Sequence, residues 1–106
     1  MSDRRDLTID EVKEGLASGS ILLVDVREPH EFAQAHIPGA VNVPLSTFDP
    51  GEIAPGPSQT VVFSCRSGAR TLKAIAASRA AGFPYGAHYP GSMLEWTAAG
   101  EPVETG

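Results

Sequence analysis

Two apolar runs organise the pattern of this chain: "ILLVDV" from Ile21 to Val26 and "TVVFS" from Thr60 to Ser64 are short, continuous and rich in β-branched residues. Runs of that kind predict strands buried on both faces, as in a parallel sheet, with Asp25 the one polar break in the first. Stretches of helical period flank both. Ahead of the first, "TIDEVKEGLASG" opens on Thr8 with Glu11 three residues on, a capping-box pattern, and Gly19 stands where a helix C-terminus favours glycine. After it, Pro29 suits the first turn of a helix over "HEFAQA", and Pro38 and Gly39 lead into a strand at Val41–Val43. Beyond the second run, "TLKAIAASRAAG" places Leu72, Ile75, Ala76 and Ala80 at helical spacing before Gly82 stops the helix. A short strand in "GAHY", a last helix in "SMLEWTAAG" and an edge strand at Asp6–Thr8 complete the elements. The proline- and glycine-rich "LSTFDPGEIAPGPSQ" reads as a surface connection after one short turn. Strands alternating with helices predict an α/β fold whose ligand site lies beyond the strand C-termini.

Composition narrows the field. A chain of 106 residues is expected to form one small domain, able to fold without disulfides or a structural metal. Hydrophobic residues at 42% and charged residues at 20% are ordinary for a globular protein, and a net charge of −5 argues against nucleic-acid binding. No apolar stretch reaches transmembrane length, so no membrane partner is expected. The start "MSDRRDLTID" lacks the apolar run of a secretory signal, and one cysteine forms no internal disulfide; a reducing cytoplasm is the expected compartment. His30, His36 and His88 show no metal-ligand spacing with each other or with Cys65, which favours structural roles and no metal. Met93 and Trp96 read as core, and Asp25 with Arg27 as a local ion pair or hydrogen-bonded turn.

Chemistry is concentrated in "CRSGAR", residues 65–70, between the second strand run and its helix. A lone cysteine is most often an inert, small core residue. This one has two arginines and a glycine within five positions. If the segment wraps from strand end to helix start, backbone N–H groups converge on the Cys65 sulfur and the helix N-terminus adds about half a positive charge. Such surroundings lower a cysteine pKa from about 8.5 into a range of roughly 3.5 to 7.5, making Cys65 an anionic nucleophile at neutral pH. Gly68 permits the tight turn, Ser67 offers a hydroxyl, and Arg66 and Arg70 offer planar forks to an oxyanion.

"LLVDVREPHEFAQAHIPGAVNVPL", then "VVFSCRSGARTLKA" and "GEPV", in that order and approximate spacing, resemble the single-domain rhodaneses over nearly the whole chain. The resemblance implies a central five-stranded parallel sheet flanked by helices. It implies that Cys65 accepts a sulfane sulfur to become a persulfide and passes it to a thiophilic acceptor, with no cofactor. Arg66, Ser67, Gly68, Ala69, Arg70 and Thr71 would form the substrate loop. The implied donor is a small anion such as thiosulfate, and the acceptor a thiol, cyanide or a protein in a sulfur relay. Two departures touch local shape: "YPGSMLEW" stands where rhodaneses often have a glycine pair, and Thr71 where a serine is common. Cysteine phosphatases use a related loop with five residues between cysteine and arginine; here there are four, and Thr71 occupies the phosphatase arginine's place. A rhodanese-shaped binding or regulatory module is the third reading, ranked last because such modules often lose the cysteine.

Overall fold

The computed structural model describes residues 4–106. Its sheet contains β1 (Arg5–Asp6), β2 (Ile21–Asp25), β3 (Val41–Asn42), β4 (Thr60–Ser64) and β5 (Ala87–His88), in the order β1-β5-β4-β2-β3. Every pairing is parallel. The helices are α1 (Ile9–Ser18), α2 (Pro29–Gln34), α3 (Arg70–Ala80) and α4 (Ser92–Ala98). This is the predicted α/β architecture of a five-stranded parallel sheet flanked by helices.

The two apolar runs form the sheet centre, and their alternation divides the core. Ile21, Leu23 and Val62 face one side with Val12, Tyr89, Met93 and Trp96. Val24, Val26, Val61 and Phe63 face the other with Ala74 and Ile75 of α3. Both faces are therefore dry, as continuous apolar strands require. Trp96 keeps its indole N–H satisfied by donating to the Pro102 carbonyl at 2.7 Å.

Local signals place the helix ends. Thr8 caps α1, its Oγ accepting from the Glu11 N–H at 3.2 Å while the Glu11 carboxylate accepts from the Thr8 N–H at 2.9 Å. Gly19 closes the helix with φ +77. Because Thr8 serves as the cap, β1 ends at Asp6, two residues short of the expected Asp6–Thr8 strand, and Leu7 N–H continues the pairing to His88 O at 2.9 Å. The loose connection contains two 3-10 turns, Leu45–Thr47 and Pro50–Glu52, where one was expected. The buried face of α3 is Thr71, Ala74, Ile75 and Ser78, while Leu72, Ala76 and Ala80 are exposed. Only Ile75 of the expected stripe faces the core.

Candidate functional site

β2, β4, β5 and β1 all run in one direction, so Asp25, Ser64, His88 and Asp6 end at the same edge of the sheet. Cys65 follows directly on β4 there, 1% exposed, at the floor of a loop that closes onto α3. Gly68 N–H points at its Sγ from 3.0 Å. Burial pushes the thiol up, but the amide N–H groups of Thr71, Gly68, Ser67 and Arg70 together outweigh it and hold Cys65 below its ordinary value. The turn needs its glycine: Gly68 has φ +91, and a Cβ there would lie 2.6 Å from the Pro90 carbonyl oxygen. Arg66, Ser67 and Ala69 are exposed around the mouth. Thr71 is fully buried beneath it, with Oγ1 at 2.8 Å from Gly68 O and 2.7 Å from His88 Nδ1, so that its one proton has two acceptors in reach.

A second wall comes from α4. Met93 and Leu94 N–H donate to the Cys65 and Arg66 carbonyls, each at 3.1 Å, pinning the loop to the helix start. Ser92 Oγ accepts from Cys65 N–H at 3.0 Å, donates to Tyr89 O at 2.7 Å and lies 3.9 Å from Cys65 Sγ. Ser92 is also the one non-glycine residue with positive φ among those described, at +51. This accounts for "YPGSMLEW": the serine adopts a conformation that favours glycine, at a cost of about 1 kcal/mol or more, and its buried hydroxyl bonds offset that strain.

The arginines differ in their surroundings. Arg66 is exposed, whereas Arg70 meets Glu31 of α2 through both terminal nitrogens, at 2.7 and 3.1 Å. Arg70 thus arrives at the loop with its fork engaged. Its guanidinium brings Glu31 down to about 2, against burial that raises it. α2 is held in place by the expected Asp25–Arg27 pair, buried with a shortest contact of 2.7 Å. Arg27 Nη2 also donates to Ala35 O at 2.7 Å at the end of α2. Asn42 Nδ2 ties the Asp25 and Arg27 carbonyls together at 3.0 and 2.9 Å.

The structure thus gathers Cys65, Ser67, Gly68, Arg70 and Thr71 around one sulfur and leaves Arg66 and Ala69 on the rim. Sequence reasoning missed three neighbours. Glu31 lies 39 positions from Arg70, and no local spacing links them. His88 reaches Thr71 only because β5 pairs with β4. Ser92 carried a visible signal, as a serine in a glycine-favoured position. Among the described residues no cluster of three or more His, Cys, Asp or Glu is placed to hold a metal ion, and no helix is long and apolar enough to cross a membrane.

The fold has counterparts among known proteins. The family model of the rhodanese-like domain matches residues 8–99. An uncharacterized protein of Synechocystis is 39% identical over 84 residues, 79% of this chain but 47% of its own length, so the chain spans about half of that relative. The human thiosulfate:glutathione sulfurtransferase is 31% identical over 91% of this chain and 96% of its own. A solved human single-domain sulfurtransferase superposes with a TM-score of 0.73 at 30% identity, covering 88% of this chain and 95% of that one. With the cysteine loop in place at the strand end and the match running through nearly every element, the chain belongs to the rhodanese-like domain family.

Proposed function

We propose that the chain is a sulfurtransferase that carries a sulfane sulfur on Cys65, taking it from a small anionic donor such as thiosulfate and giving it to a thiol or to cyanide. The observation that carries this reading is the buried Cys65 sulfur faced by four backbone amides at the start of α3. The thiolate attacks the outer sulfur of thiosulfate, the S–S bond of the donor breaks, and its electron pair leaves with sulfite. Charge balances: a monoanion and a dianion become a persulfide anion and sulfite. The amides that stabilise the thiolate then face the negative outer sulfur, which stands about 2 Å further towards the mouth. That displacement suits a sulfur whose parent atom is buried. An acceptor thiolate attacks the outer sulfur, and the Cys65 thiolate leaves. Sulfurtransferase relatives support the class of reaction. A relay to a protein acceptor would use the same outer sulfur.

Phosphoryl transfer fits less well, because the phosphatase arginine's place is filled by Thr71, fully buried and bonded to Gly68 O and His88. The test is thiocyanate formation from thiosulfate and cyanide beside hydrolysis of an aryl phosphate, in the native chain and Cys65→Ser. Cys65-dependent thiocyanate with negligible phosphate release supports the reading. Cys65-dependent phosphate release faster than sulfur transfer would overturn it.

A further inference from the structure

Three short contacts run from the surface to the cysteine loop. Asp6 Oδ1 lies 3.0 Å from His88 Nε2, His88 Nδ1 lies 2.7 Å from Thr71 Oγ1, and Thr71 Oγ1 lies 2.8 Å from Gly68 O. His88 and Thr71 are buried and Asp6 is exposed. Three hydrogen bonds need three protons. A neutral imidazole supplies one, the Thr71 hydroxyl one, and a carboxylate none. The charge on Asp6 keeps the imidazole proton on Nε2, so the Thr71 proton turns to Nδ1 and Gly68 O loses that donor. One added proton makes the imidazole a double donor, returns the Thr71 hydroxyl to Gly68 O and completes all three bonds.

We propose that Asp6, His88, Thr71 and Gly68 form a proton-loaded brace, and that proton uptake at His88 fixes the Gly68 turn and tightens the Cys65 cradle around an anion. This rests on the loop being an anion cradle, and not on which donor it serves. Gly68 is where the brace has leverage, since its N–H faces Cys65 Sγ at 3.0 Å and its φ of +91 belongs to a residue free to rotate. The groups facing His88 are few. β1 contributes Asp6, its register partner, with Arg4 on the same carboxylate oxygen at 3.1 Å. β4 contributes the apolar Phe63 in register, and α3 the Thr71 hydroxyl. Burial disfavours the imidazolium and Asp6 favours it; burial wins, holding His88 below its ordinary value. The brace is therefore unloaded at neutral pH and loads as pH falls below the ordinary histidine range.

The test follows the Gly68 carbonyl carbon and the His88 ring by NMR from pH 8 to 5. The carbonyl is expected to titrate with the ring in the native chain, to do so at lower pH in Asp6→Asn, and to stay flat in Thr71→Val. Thiosulfate affinity is measured in Cys65→Ser, where no transfer occurs, and is expected to rise roughly three- to tenfold on acidification, as the gain of one hydrogen bond implies, but not when His88→Gln is added. A Gly68 carbonyl that is flat through the His88 transition, or that moves equally in Thr71→Val, overturns the brace. Thiosulfate that binds at no pH, with the Gly68 carbonyl still following His88, supports the brace and sinks the donor reading instead.

Discussion

Glu31→Gln separates the charge of the Glu31–Arg70 pair from its shape. Glutamine keeps an oxygen to accept the Glu28 N–H that Glu31 Oε1 now accepts at 3.0 Å, so α2 retains its first turn. What is lost is a carboxylate held near 2 by Arg70. A shift of that size corresponds nominally to about 3 kcal/mol, but the side chains are 31% and 25% exposed, and solvent screening reduces the expected contribution to roughly 1 to 2 kcal/mol. The carboxylate's pKa is depressed in the folded state, so its contribution is complete above the unfolded carboxylate range and is lost as pH falls towards 2. Urea denaturation should therefore show the variant less stable by that amount at pH 7 and pH 5, with the gap closing at pH 3 and below. Activity should move the opposite way. Removing the counter-charge leaves Arg70 with a net positive charge for thiosulfate, worth on the order of 1 kcal/mol near a surface, so kcat/KM for thiosulfate should rise about three- to tenfold at low salt and less at high salt. A stability gap that does not change with pH would refute the ion-pair account, and a fall in kcat/KM would show that Glu31 aims Arg70 rather than neutralising it.

Gly68→Ala places a methyl group against the Pro90 carbonyl and an L residue at φ +91; a loss of about 1 to 3 kcal/mol in denaturation and slower iodoacetamide alkylation of Cys65 at neutral pH are expected. At Ser92, Ala keeps the strained φ and removes the hydroxyl bonded to Cys65 and Tyr89, whereas Gly relieves the strain. Thermal melts should therefore rank native, Ser92→Gly, Ser92→Ala, with Ala costing about 1 to 3 kcal/mol. Asp25→Ala leaves the Arg27 guanidinium buried without its partner, which should cost roughly 3 to 5 kcal/mol by urea denaturation.

What could be read from the sequence depended on the range of the interaction. The α1 capping box, the central strands and the cysteine turn each depend on residues within a few positions, and the structure has each where the pattern put it. The buried face of α3 did not follow its most apolar residue. The helix start is fixed by the loop that aims amides at Cys65, and that rotation turns Thr71 and Ser78 inward and leaves Leu72 in solvent. The site's outer partners came from strand order and helix placement. β5 beside β4 brings His88 to Thr71, and the Arg27 clamp on α2 brings Glu31 to Arg70. None of these distances is written in local spacing.

The central claim, that the amide-lined sulfur of Cys65 carries a transferable sulfur atom, is tested most directly by intact mass. The folded chain is incubated with thiosulfate, desalted, weighed, then treated with cyanide and weighed again. The account predicts a gain of one sulfur atom that Cys65→Ser does not show and that cyanide removes as thiocyanate. A folded chain that stays at its original mass, or gains sulfur equally in Cys65→Ser, would contradict it.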